Sequence, residues 1–152
     1  MEFDLTWLGT FEISIFGIRK NVILSISGSE EGDFTNDQIE AYSNFLKEKQ
    51  RFITEAEDGL YSYYQSVCMD YRERFGKGTD DALAPLISDK SQFGDLVSLT
   101  HVVIRMFPRN KRIVGLLFDS RWETSLGVAV KFKNENLSEV GFQDIVLYSL
   151  LR

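Results

Sequence analysis

The stretch of this sequence with the most chemical potential runs from Gly115 to Glu123 and reads Gly-Leu-Leu-Phe-Asp-Ser-Arg-Trp-Glu. An apolar run typical of a strand ends there and delivers Asp119, Arg121, Trp122 and Glu123 into a connection. Two carboxylates beside a guanidinium and an indole could hold a metal ion or exchange a proton, so an enzyme using Asp119 and Glu123 is one hypothesis. The structural alternative is that Trp122 plugs the edge of a sheet while the carboxylates cap the turn or pair with Arg121.

The chain contains one histidine, His101, and one cysteine, Cys68. An intrachain disulfide is therefore impossible, and a zinc site of the Cys/His type cannot be assembled in the monomer. Catalysis of the Cys–His or Ser–His–Asp type would depend on His101 alone, which more often packs in a strand than reacts. We expect Cys68 to be buried as a small apolar residue. No metal site and no cofactor are predicted.

The negative charge is concentrated near the start of the chain. The formal net charge is −6, and residues 1–40 alone carry eight acidic and two basic side chains. Glu30, Glu31 and Asp33 form an acidic loop within this segment. An acidic protein is repelled by nucleic acids and by anionic membranes, so neither is expected as a partner. A basic protein would be attracted, although solvation of a surface loop is the simpler interpretation.

Four basic residues lie close together farther along the chain, and they are Arg105, Arg109, Lys111 and Arg112. They lie within and on either side of the turn predicted at 108–111, and no aromatic residues alternate with them. The tip of a hairpin is normally charged, so this cluster does not predict nucleic-acid binding.

Length and composition predict one domain spanning residues 1–152. The chain begins with acidic residues, has no long apolar run and carries one unpaired cysteine, so we expect a cytoplasmic location. The sequence leaves the oligomeric state open.

The first half of the chain predicts a hairpin followed by helices. Apolar residues alternate over 11–26, with a turn placed at 17–21. Thr35 and Gln38 have the spacing of a capping box, which predicts a helix beginning at Asn36. The helical pattern lapses at 47–50 and resumes until Gly76, so two helices are expected; residues 77–95 predict irregular chain with a helical turn.

The second half predicts strands over 100–107, 112–118, 126–132 and 137–140, with turns at 108–111 and 134–136. Because short turns join successive strands, we expect an α+β fold with an antiparallel sheet of five to seven strands and two helices packed on one face.

The C-terminal third resembles the signature of a widespread bacterial family of domains of unknown function, G-L-x-F-D-x-x-W-E, then G-x-x-V-x-F-x-N, then V-G-x-Q-D-I. The matching positions are Gly115, Leu116, Phe118, Asp119, Trp122, Glu123, Gly127, Val130, Phe132, Asn134, Val140, Gly141, Gln143, Asp144 and Ile145. The segment 38–41 and Tyr63-Tyr64 are also similar. The chain departs from the pattern at 124–126, where relatives carry a charged residue and a glycine.

Members of that family often lie among toxin-neutralising loci, so the resemblance implies an immunity-like binding protein. We therefore expect a non-catalytic protein that binds a protein partner, specifically an immunity protein for a basic bacterial toxin domain. The expected partner-binding residues are Glu30, Glu31, Asp33, Asp119, Arg121, Trp122 and Glu123. The alternatives are a metal-assisted enzyme using Asp119 and Glu123, and a small-ligand sensor using aromatic residues such as Trp122 and Tyr63.

Overall fold

The computed structural model describes residues 5–28, 36–107 and 111–147. Within these ranges the strands are β1 Leu5–Ile15, β2 Ile18–Gly28, β3 Val97–Phe107, β4 Lys111–Ser120, β5 Val128–Lys133 and β6 Asn136–Gly141. The helices are α1 Asn36–Lys47, α2 Lys49–Phe75, α3 Asp80–Leu83, a 3₁₀ helix at Lys90–Asp95, and α4 Asp144–Leu147. The α+β class and the predicted number of strands agree with this architecture.

The six strands lie side by side in sequence order. Each neighbouring pair is antiparallel except β2 and β3, which run parallel with Leu24 opposite Val102. The expectation of a fully antiparallel sheet is therefore wrong at this one pair. The physical reason is the connection: the helical segment between β2 and β3 provides the long crossover that parallel neighbours require.

Two-residue turns close two of the hairpins. Phe16 and Gly17 both have positive φ, and so do Asn134 and Glu135. Positive φ at both central residues defines the type I′ turn, whose twist matches that of the flanking strands. The turn predicted at 17–21 is confirmed only at Gly17, because β2 already begins at Ile18 opposite Ile15. The turn predicted at 134–136 is confirmed at 134–135, with Asn136 already in β6, and the one predicted at 108–111 falls mostly outside the described residues.

The helical segment divides where the apolar pattern lapses. α1 begins at Asn36 and ends at Lys47, and α2 begins at Lys49. The predicted start and the predicted break are both confirmed, whereas the proposed N-cap, Thr35, lies outside the described residues. The 27 residues of α2 span about 40 Å at 1.5 Å per residue, enough to cross the whole sheet.

The main core lies between the sheet and the long helices. Buried residues of α1 and α2, including Phe45, Phe52 and Leu60, share one cluster with alternate residues of the strands, such as Leu116 on β4 and Val130 on β5. Cys68 is also buried in this cluster, as predicted.

The other face of the sheet is covered unevenly. α4 places Ile145 and Val146 in a second buried cluster with Leu117 on β4 and Ala129 on β5. Strand residues on this face of β1 and β2 remain exposed in the described part of the chain, including Leu8 at 65% and Ile23 at 39%. The two predicted helices thus do not account for all the helical structure, because α4 packs on the opposite cluster.

Candidate functional site

Trp122 lies in the core immediately after β4. Its side chain is 3% exposed, and its ring centroid lies 4.7 Å from that of Tyr64 and 5.8 Å from that of Phe93. Such an aromatic group contributes a large buried apolar area. This burial agrees with the structural interpretation of Trp122, and it leaves the indole almost no surface with which to contact a partner or ligand.

Glu123 anchors the connection between β4 and β5 to α2. The hydroxyl of Tyr71 donates to Glu123 Oε1 at 3.1 Å, and the backbone N–H of Leu126 donates to Oε2 at 3.4 Å. Burial of Tyr71, reinforced by its hydrogen bond to this carboxylate, raises the pKa of Tyr71 to about 12. Burial, followed by the Glu123 charge, also raises the pKa of Tyr63. Glu123 is therefore engaged by the fold.

The neighbouring residues fix the same turn. Ser120 Oγ exchanges hydrogen bonds of 2.9 Å with the backbone N–H and C=O of Glu123. The backbone N–H of Arg121 donates to the Leu96 carbonyl at 2.9 Å, while its exposed guanidinium reaches the Ala82 carbonyl at 3.4 Å. Arg121 makes no ion pair with Asp119 or Glu123 in the described part of the chain, so the predicted pairing across this turn does not form.

Asp119 points away from this network. It is exposed and lines a groove of about 440 Å³ beside α4, together with His101 and Gln143. The groove also contacts Val103 and Leu117, which are buried on the α4 side of the sheet. Asp119 thus faces the α4 side, whereas Glu123 is bonded to α2 on the opposite side. The structure does not bring these two carboxylates together.

His101 is held in the groove by a chain of hydrogen bonds. Its Nδ1 lies 2.9 Å from Thr100 Oγ1, and Thr100 Oγ1 donates to the Leu117 carbonyl at 3.1 Å. The pairing register of β3 with β4 shifts between Leu99 and His101, which is the mark of a β-bulge. The bulge changes the alternation of residues on β3, so the grouping of His101 with Asp119 was not visible in the sequence.

Two glycines let α4 and the residue before it lie close to the sheet. A Cβ on Gly115 would lie 2.4 Å from Val146 Cγ1, so only glycine lets the helix approach the sheet this closely. Gly127 has a φ of +60°, and a Cβ there would lie 2.4 Å from Gln143 Nε2. Gln143 Nε2 in turn donates to the Phe118 carbonyl at 2.9 Å. The structure therefore accounts for these motif positions by packing.

The structure describes only part of the two charged clusters, the acidic loop and the basic cluster at 105–112, that the sequence analysis identified. Glu30, Glu31 and Asp33 lie outside the described residues. Arg112 makes a two-pronged contact with Glu135, with both N–O distances at 2.8 Å, so it is already engaged within the fold. Arg105 lines the groove described above.

The described residues contain no group of three or more His, Cys, Asp and Glu side chains that could hold a metal ion. None of the described helices is long and apolar enough to cross a membrane.

The chain belongs to a family of domains of unknown function, DUF6985, whose model matches residues 1–147. No curated protein and no solved structure matches the chain. The family match covers almost the whole chain and assigns no activity.

Proposed function

We propose that this protein is a non-catalytic binding module of the cytoplasm whose partner is a basic protein. The observation that carries the proposal is the open face of β1 and β2, where Leu8 and Ile23 are exposed on the side of these strands opposite the main core. Exposed apolar residues on an uncovered sheet face are typical of a surface that contacts another macromolecule.

The charge of the chain supports a basic partner. The excess of acidic residues in 1–40 would attract a cationic surface over a distance of about one Debye length, about 8 Å at physiological salt. In its specific form, the proposal is an immunity protein that neutralises a basic bacterial toxin domain. That form depends on the resemblance of the C-terminal signature, and the partner-binding residues proposed from the sequence include the acidic loop and Asp119.

The alternative functions have less geometric support. An enzyme using Asp119 and Glu123 requires the two carboxylates at one site, whereas Glu123 is bonded to Tyr71 on the helix side and Asp119 faces the groove. A ligand sensor using Trp122 requires an accessible indole, and this one is enclosed by Tyr64 and Phe93.

The decisive experiment measures binding kinetics at two salt concentrations against a basic toxin domain encoded by the upstream gene, if that gene encodes one. In the variant Glu30→Gln, Glu31→Gln, Asp33→Asn, we expect association at low salt to slow by about tenfold and to lose much of its salt dependence. Dissociation should stay nearly unchanged, because such rim charges act mainly on encounter.

A matched triple variant, Asp70→Asn, Glu73→Gln, Asp95→Asn, makes the same change in net charge at exposed positions elsewhere and serves as the control. If the acidic-loop variant associates at the wild-type rate, the loop does not contribute to partner binding and its charges serve only its solvation. If the wild-type protein shows a measurable turnover and Asp119→Asn abolishes it, the result would favour the enzyme hypothesis over the binding function.

A further inference from the structure

We propose that the groove beside α4 binds an arginine side chain of the basic protein partner, at the end of the groove formed by His101, Asp119 and Gln143. This inference rests on the proposed function for the nature of the occupant and identifies where on this surface the partner is held.

The hydrogen bonds around Thr100 determine which nitrogen of His101 carries the proton. The Leu117 carbonyl can only accept, so the single hydroxyl proton of Thr100 is donated to it. The contact between Thr100 Oγ1 and His101 Nδ1 is then a bond that Nδ1–H donates. In the neutral ring the lone pair consequently lies on Nε2, which is an acceptor.

The same logic applies to Gln143. Its side chain contacts the Phe118 carbonyl at 2.9 Å, and only the amide NH₂ can donate to a carbonyl. The other terminal atom is therefore the acceptor Oε1. Together with the carboxylate of Asp119, the groove thus presents three kinds of acceptor, and no described residue donates to the Asp119 carboxylate, to His101 Nε2 or to Gln143 Oε1.

The cation of the groove itself cannot satisfy these acceptors. Arg105 lies opposite Ile113 in the β3–β4 register, and Asp119 is six residues farther along β4. At about 3.4 Å per residue the two backbones are separated by roughly 20 Å, well beyond the reach of an arginine side chain. His101, by contrast, lies opposite Leu117, only two residues from Asp119.

A set of acceptors without donors is complementary to a cation rich in donors. A guanidinium presents five N–H donors in one plane and remains charged at any physiological pH. An ammonium group presents three N–H donors. The apolar stem of an arginine could lie along Val103 and Leu117, which contact the same groove. The groove therefore favours arginine over a small inorganic cation.

The test is an NMR titration of the isotope-labelled protein with a blocked five-residue peptide that has arginine flanked by alanines. We expect saturable shifts of the His101 ring and Gln143 side-chain amide resonances. A peptide with citrulline in place of arginine keeps the shape without the charge and should produce no saturable shift. Asp119→Asn should weaken the arginine peptide at least about tenfold, because it removes a charge-assisted hydrogen bond.

Asp70→Asn removes an equivalent exposed carboxylate from α2 and should bind the arginine peptide like the wild type. Equal shifts with citrulline, equal affinity in Asp119→Asn, or no shift in the groove would overturn the inference. If free guanidinium binds as tightly as the peptide, the occupant of the groove would be a small cation and not a protein side chain. The titration uses a short peptide and no partner protein, so its failure can be distinguished from failure of the kinetic test of the proposed function.

Discussion

Replacing Gly115 with alanine tests whether α4 is held against the sheet by the close approach that the structure describes. The added Cβ would lie 2.4 and 2.7 Å from the two γ carbons of Val146, far inside van der Waals contact. Val146 is completely buried, and Gly115 lies on a central strand, so neither side can yield freely. Forcing an extra carbon into a packed core typically costs about 1–3 kcal/mol.

Two contacts below 3.0 Å place the steric cost near the top of that range, at about 3 kcal/mol. Alanine is intrinsically better than glycine inside a strand by about 0.5–1 kcal/mol, and this gain offsets part of the steric cost. We therefore expect Gly115→Ala to lower the free energy of unfolding by about 2 kcal/mol. The assay is urea denaturation followed by circular dichroism, with the transition midpoint compared at constant slope.

A double-mutant cycle identifies the contact responsible. Val146→Ala removes both clashing methyl groups and by itself should cost about 1.5 kcal/mol through lost burial. In the double variant the alanine at 115 should add almost no further loss, which gives a coupling energy above about 1 kcal/mol.

Gly141→Ala is the matched control. Its Cβ would meet Ile145 at an ordinary 3.4 Å, so we expect a change within about 0.5 kcal/mol. If Gly115→Ala were as stable as the wild type, or if Val146→Ala failed to relieve its effect, the proposed close packing of α4 would be wrong.

Two further predictions concern the connection after β4. Trp122→Ala should lower the free energy of unfolding by at least about 3 kcal/mol, because it leaves a cavity in the core. Arg121→Ala, at the exposed neighbouring position, should change stability little. A Trp122→Ala protein of wild-type stability would contradict the structural role of Trp122. The raised pKa of Tyr71 means that the unfolded chain loses this proton near pH 10 and the folded protein near pH 12, so stability is complete below about pH 10 and falls as the pH rises toward 12. Tyr71→Phe should flatten the decline in stability measured across that interval, and an unchanged slope would show that folding does not raise the pKa of Tyr71.

One carboxylate near the end of β4 differs from its neighbours in how the fold engages it. Trp122, Glu123 and Gln143 are each buried or hydrogen-bonded within the chain, and Gly115 is required for packing. Asp119 lies in the same part of the chain, yet it is exposed and makes no hydrogen bond or ion pair in the described part of the structure through its carboxylate. Of these residues it is therefore the one best placed to contact another molecule.

The sequence by itself determined the features that depend on neighbouring residues. The helix start at Asn36 follows from the capping-box spacing of Thr35 and Gln38, and the break after Lys47 follows from a lapse in the apolar spacing. Both signals are properties of short stretches of consecutive residues. The strands of the second half were visible for the same reason, because alternation is a short-range pattern. The burial of Cys68 followed from its residue type, because a free cysteine behaves as a small apolar residue.

Only the tertiary structure decided which distant residues meet. The parallel pairing of β2 with β3 depends on how the helical crossover returns along the sheet, and no local pattern encodes that direction. Asp119 and Glu123 are four residues apart in the chain but reach opposite sides, because β4 ends between them and the chain turns. His101 meets Asp119 only because β3 and β4 pair in this register with a bulge at Thr100, so the groove exists solely as a product of long-range pairing.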